Sequence, residues 1–180
     1  MFDKDMKIYG KHATYWKALT QLPGNAVETS NNFKIFENYI YVYMLAPIIG
    51  LINGKKAYLD PNDSSKDSAG MLSEVQIKNS AKLKYIYRLI VLTDDSEGLS
   101  NEQKINRAFR EDYNEEEVKK GMELYTAYFL GGLEILYDMF VTNCVTDDDY
   151  IQKRYYFVSD FKDEQDIDDL TLDIEKLLRD

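Results

Sequence analysis

A single cysteine, Cys144, leaves this chain without an intrachain disulfide and predicts a reducing, cytoplasmic setting. Its neighbours Val141, Thr142, Asn143 and Val145 include no cation that would stabilise a thiolate, so it reads as a structural thiol. The single histidine, His12, excludes Cys/His zinc sites and paired Glu-x-x-His di-iron sites. It also leaves Ser-His-Asp or Cys-His catalysis with only His12 as a base. Three prolines (Pro23, Pro47, Pro61) and nine glycines are too few for a many-turned β protein or a disordered chain.

Long apolar runs are scarce as well. The 17 residues between Glu37 and Lys55 are uncharged, but a membrane-spanning helix needs about 20 apolar residues. Pro47 and Gly50 interrupt this run, which predicts a buried central helix and no membrane span. Residues 1–16 have no apolar stretch followed by a small-residue cleavage site, which predicts no secretory signal. No phosphate-binding glycine loop or nucleophile elbow occurs. The acidic stretches Asp60–Asp63 and Asp94–Gly98 lack the EF-hand spacing and read as turns. No cofactor and no metal site are implied.

What the chain does hold is charge, apolar bulk and tyrosine. Residues 1–90 carry 12 Lys/Arg against 8 Asp/Glu. Residues 91–145 carry 5 against 12, as do residues 146–180, and the net charge is −10. A cationic first half and an acidic remainder point to contacts with each other or with partners, not to a reaction. The acidic tail reads as a solvated surface, with a clasp on the basic half or an imitation of nucleic-acid phosphate as alternatives. Hydrophobic residues make up 44% of the chain, enough to build a core. Fifteen tyrosines suggest helix seams that reach solvent, because a tyrosine ring covers apolar area while its hydroxyl needs a partner.

The periodicity predicts an all-α fold, a single helical bundle of six to eight helices over 1–180 with 146–180 as an acidic C-terminal helical appendage. A first helix spans Lys11 to Leu22, with Ala13, Trp16 and Leu19 inward. A second opens near Asn31 or Asn32, carries Phe33, Phe36, Ile40 and Tyr43, and kinks or breaks at Pro47, with a short helical continuation to Ile52. A long helix from Ala69 to Leu92 places Leu72, Val75, Ala81, Tyr85, Leu89 and Leu92 inward. Capping boxes at Ser100/Gln103 and Asn114/Glu117 open a short helix and the longest one, which ends near Val141. Further helices follow from Asp147 to Phe161 and from Leu170 to Leu178. One small β-hairpin, from residues 5–9 and 155–158, is an alternative for those segments.

Candidate sites are few. Lys11, His12, Tyr15, Trp16 and Lys17 combine cations with aromatic rings and could stack on and neutralise a nucleic acid. Lys82, Lys84 and Arg88, with Lys7 and Lys78, extend that basic set. Gly131 and Gly132, inside the longest helix, read as a packing notch for another helix or for a second copy of the chain, since glycine there costs about 1 kcal/mol relative to alanine. Glu134 and Asp138 share a helix face, and with Glu37 they could form a carboxylate or metal-assisted hydrolase site. The leading expectation is a non-enzymatic accessory or regulatory protein acting through protein contacts, self-association included. A nucleic-acid-associated component is the alternative, and the hydrolase comes last.

Overall fold

In the computed structural model of the chain, which describes residues 1–20, 35–63, 65–110 and 114–164, helix α6 (Glu115–Phe140) organises the fold. Asn114 starts it, its side-chain oxygen accepting from the backbone N–H groups of Glu116 (3.1 Å) and Glu117 (3.3 Å). The expected box is only half closed. The Glu117 carboxylate turns instead to Arg107 (2.8 Å) and Lys120 (3.0 Å). Tyr125, Phe129, Leu130, Leu133 and Leu136 are fully buried, so α6 is covered on several sides. Its neighbours are α1 (Lys11–Thr20), α2 (Tyr39–Ile52), α4 (Ser80–Thr93) and α5 (Asn101–Phe109).

Helix α2 lies closest along α6, and two sequence features explain how. Gly131 and Gly132 lack side chains where the backbone carbonyls of Lys55 and Ala46 press against α6; a Cβ at either position would overlap those oxygens. Gly50 admits the Tyr128 carbonyl in the same way. The helix also runs unbroken through Pro47, where a kink or break was expected, and reaches Ile52. Proline has no N–H to give the carbonyl four residues earlier, that of Tyr43. The Tyr125 hydroxyl on α6 donates to that carbonyl at 2.8 Å, so the lost hydrogen bond is replaced across the seam. The start of α2 moves to Asn38, because the Phe36 N–H donates to the Leu19 carbonyl (3.0 Å) and Phe36 packs edge-on against Phe140.

The chain is mostly helical, with seven helices among the described residues and one small antiparallel sheet. Strand β1 (Met6–Tyr9) pairs with β2 (Ser68–Met71), Met6 opposite Met71 and Tyr9 opposite Ser68. The partner is therefore not 155–158, which is helical. The expected helix from Ala69 divides into β2, α3 (Ser73–Lys78) and α4. At Asn79 the backbone leaves the helix, and its side-chain amide bonds the Val75 carbonyl (2.9 Å). Gly10, at φ +73°, turns β1 into α1, whose first N–H, that of Lys11, donates to the Asp63 carboxylate (2.7 Å). Phe2, also at positive φ, inserts edge-on among Tyr43, Tyr87 and Tyr125.

Residues Met1–Thr142 form one compact unit and Asn143–Asp180 a second. In the second, α7 (Asp147–Glu164) exposes Ile151, Tyr155, Tyr156 and Val158. The expected helix at 170–178, and Phe33 with the connector before it, lie outside the described residues. Among the described residues no helix is long and apolar enough to cross a membrane.

Candidate functional site

Among the described residues of Met1–Thr142, three polar clusters and an apolar face gather groups that could react or bind. The first cluster gathers on Glu134 of α6. Its Oε1 accepts from Lys11 Nζ (2.9 Å) and lies 3.1 Å from His12 Nε2, and its Oε2 accepts from Lys55 Nζ (3.0 Å). Burial works to raise the Glu134 pKa, but the hydrogen bonds from Lys11 and Lys55 outweigh it and hold the carboxyl at about 2. His12 is buried, and desolvation lowers its pKa, so the ring is the neutral Nε2–H donor at neutral pH. A carboxylate held this way by two ammonium groups is neither an acid nor a base near neutrality.

The second cluster surrounds Asp94, at the end of α4. Lys56 Nζ (2.8 Å), Ser96 Oγ (2.6 Å) and Tyr128 OH (2.5 Å) all converge on its carboxylate. Burial opposes ionisation, and these three donors overcome it, leaving the Asp94 pKa at about 2. Lys56 also reaches Ser96 Oγ, which brings a lysine and a serine together. An ammonium pinned to a carboxylate has no lone pair to take the hydroxyl proton, so this pair clamps Asp94 and does not activate a nucleophile. In the third cluster, Arg107 is buried between Glu97 (2.8 Å) and Glu117 (2.8 Å). These three groups line an open depression of about 450 Å³ with Arg110 and Lys120. Among the described residues no group of three or more His, Cys, Asp or Glu could hold a metal ion. Glu37 stands exposed before α2, and Asp138 accepts from the Thr142 hydroxyl (3.0 Å).

The apolar face belongs to α4 and α5. Leu83, Ile86, Tyr87, Ile90 and Val91 turn α4 into the core, so the row expected inside faces out. Tyr85 is 71% exposed, Leu89 38% and Leu92 37%, and on α5 Ile105 is 51% and Phe109 53% exposed. Two contacts join the helices. Arg88 Nε donates to the Ala108 carbonyl (3.3 Å) with its guanidinium 4.9 Å from the Phe109 ring centre, and Lys104 Nζ bonds Asp95 (2.5 Å) and the Leu92 carbonyl (3.4 Å). Helix α4 carries Lys82, Lys84 and Arg88 and no carboxylate. None of these three makes an ion pair among the described residues, whereas Lys11, Lys17, Lys55, Lys56 and Lys104 all do.

The basic set expected from the sequence therefore falls in two places. Helix α1 packs on α6, α2 and the sheet, while α4 packs on α5, α2 and α6. On α1, Lys11 and His12 are held by Glu134, Lys17 by Asp67, and Tyr15 stacks on Tyr137 at 4.0 Å. Trp16 is fully buried against Tyr39, Tyr43 and Phe129, and its indole N–H donates to the Tyr39 carbonyl (3.3 Å). The Trp16 ring is enclosed, and the half-buried Tyr15 has one ring face against Tyr137. Lys82, Lys84 and Arg88 remain beside the apolar row. Gly131 and Gly132 form a notch filled from within the chain, by α2 and the segment after it. Sequence reasoning missed Tyr85, Leu89, Leu92, Ile105 and Phe109 as a surface. The available signal was that α4 is apolar on two faces, and a helix of that kind is either buried all round or carries a contact face. No protein-family model matches the chain, and neither a curated protein nor a solved structure is significantly similar to it.

Proposed function

We propose that this chain is a non-enzymatic accessory or regulatory protein that works through protein–protein contact, with the α4–α5 face as its contact surface. The observation that carries the reading is the uncovered row Tyr85, Leu89, Leu92, Ile105 and Phe109. Five large apolar side chains gathered on two joined helices favour a partner, because exposed apolar groups of a monomer are normally scattered singly. The polar clusters support the same reading from the other side. Their histidine, serine, lysine and carboxylate groups are spent on one another, fixing α1, α6 and the loops after α2 and α4. A cytoplasmic setting, argued from the lone cysteine, belongs to this reading.

The test is co-purification from the native cell of two tagged forms, the wild type and a Tyr85→Ser/Leu89→Ser/Phe109→Ser variant. These side chains contribute little to the core, so the melting temperature is expected to stay within a few degrees of wild type. A companion chain present with the wild type and absent with the variant is the expected result. Identical companions for both forms would overturn the proposal.

A further inference from the structure

We infer that the occupant of the α4–α5 face is an acidic amphipathic helix of another protein. This rests on the contact-face reading above and adds the partner's chemistry. Its apolar side chains would lie on Tyr85, Leu89 and Phe109, and its carboxylates would meet Lys82, Lys84 and Arg88.

The shape of the face selects a helix. Tyr85, Leu89 and Leu92 follow one another at spacings of four and three, a straight row about 10 Å long at about 1.5 Å per residue. Ile105 and Phe109 repeat the four-residue spacing on α5. The Arg88–Ala108 and Lys104–Leu92 contacts bring the two helices side by side, so the rows bound a shallow furrow. A third helix with apolar residues at i, i+4 and i+7 packs into such a furrow, ridges into grooves.

Charge selects the sign of the partner. The whole chain carries −10, yet α4 has three cations and no carboxylate, and none of the three is ion-paired among the described residues, although Arg88 also bonds the Ala108 carbonyl and covers Phe109. Glu102 is the carboxylate on the exposed side of α5, Asp95 beyond the end of α4 is paired with Lys104, and Glu74 is paired with Lys78. The edge of this furrow is thus positive on a negative molecule, and it steers an acidic segment here while a basic one is drawn elsewhere. A second copy of the chain fits poorly, because a two-fold contact through this face would set Lys82, Lys84 and Arg88 against their own counterparts. Nucleic acid fits poorly too. The net charge of −10 repels a long polyanion more than a short acidic helix.

The experiment pans a phage-displayed library of helical peptides, about 16 residues or four turns each, against the full chain. Selected peptides are expected to carry net negative charge, with Leu, Ile or Phe at i, i+4 and i+7. They should bind a Lys82→Glu/Lys84→Glu/Arg88→Glu chain about tenfold more weakly, and bind a Leu89→Arg chain hardly at all. Circular dichroism and melting temperature establish that both variants are folded, and Tyr85→Ser replaces Leu89→Arg if that chain is not. Neutral or basic peptides, or unchanged affinity for the charge-reversed chain, would overturn the acidic partner and leave the contact face standing. Peptides indifferent to both Leu89→Arg and Tyr85→Ser would overturn the face itself, and an empty selection would overturn the inference. Displacement of the peptides by short duplex DNA would name nucleic acid as the occupant instead. A doubled solution mass that Leu89→Arg abolishes would name a second copy.

Discussion

At the residue scale, Pro47 and Tyr125 are one device made of two parts. Proline in α2 leaves the Tyr43 carbonyl without its helical donor, and the Tyr125 hydroxyl supplies one from α6 at 2.8 Å. Both tyrosines are buried, and burial raises both phenol pKa values, so the hydroxyl remains a donor across the working pH range. Removing the hydroxyl with Tyr125→Phe should cost about 1–3 kcal/mol, because a buried carbonyl is left unpaired. Pro47→Ala restores the N–H that the carbonyl lacked, so in that background Tyr125→Phe should be nearly neutral. Denaturant unfolding of the four proteins in the cycle measures the coupling. Equal costs for Tyr125→Phe in both backgrounds would show that the hydroxyl and the proline are unrelated.

At the element scale, the α2–α6 seam depends on backbone touching backbone. Gly132 sits where a Cβ would overlap the Ala46 carbonyl oxygen, and both groups are on rigid helices. Gly132→Ala therefore sets two effects of opposite sign against each other. Alanine favours the helix by about 1 kcal/mol, while forcing the seam apart costs about 1–3 kcal/mol and more where nothing can yield. Destabilisation should win, lowering the melting temperature by several degrees; a raised melting temperature would mean that the seam opens freely. Such a seam was legible in the sequence, since paired glycines inside a strong helical pattern require a close neighbour. Three helices were legible from local pattern: α1 and α6 each show a helical period, and Ser100 with Gln103 closes the box that starts α5. The four-residue strand β2 was not, because Ser68-Ala69-Gly70-Met71 has no alternating pattern and owes its conformation to pairing with β1. Nor was the outward face of α4. Both the row from Leu83 to Val91 and the row from Tyr85 to Leu92 have helical spacing, and only the position of α6 and α2 decides which is covered.

At the scale of the whole molecule, stability should follow pH through three named groups. The pKa of His12 is depressed in the folded protein, chiefly by desolvation. Between its folded and unfolded values the unfolded chain binds more protons, so stability is complete above about pH 6.5 and declines as the pH falls below it. Glu134 and Asp94 have the same sign at lower pH. Their carboxyls are held at about 2, against ordinary values of 4.5 and 3.8, so their contribution is present above about pH 4.5 and lost as the pH falls toward 2. The expected melting temperature is flat near neutrality and falls in two limbs, the acid one by about 5 °C or more. His12→Gln should erase the upper limb and leave the lower one. Glu134→Gln should melt lower than wild type at neutral pH and show a shallower acid limb, the remainder coming from Asp94. Melting curves at closely spaced pH values test this directly. If His12→Gln keeps the upper limb, the proton is taken up by another group and His12 is not the source of that limb.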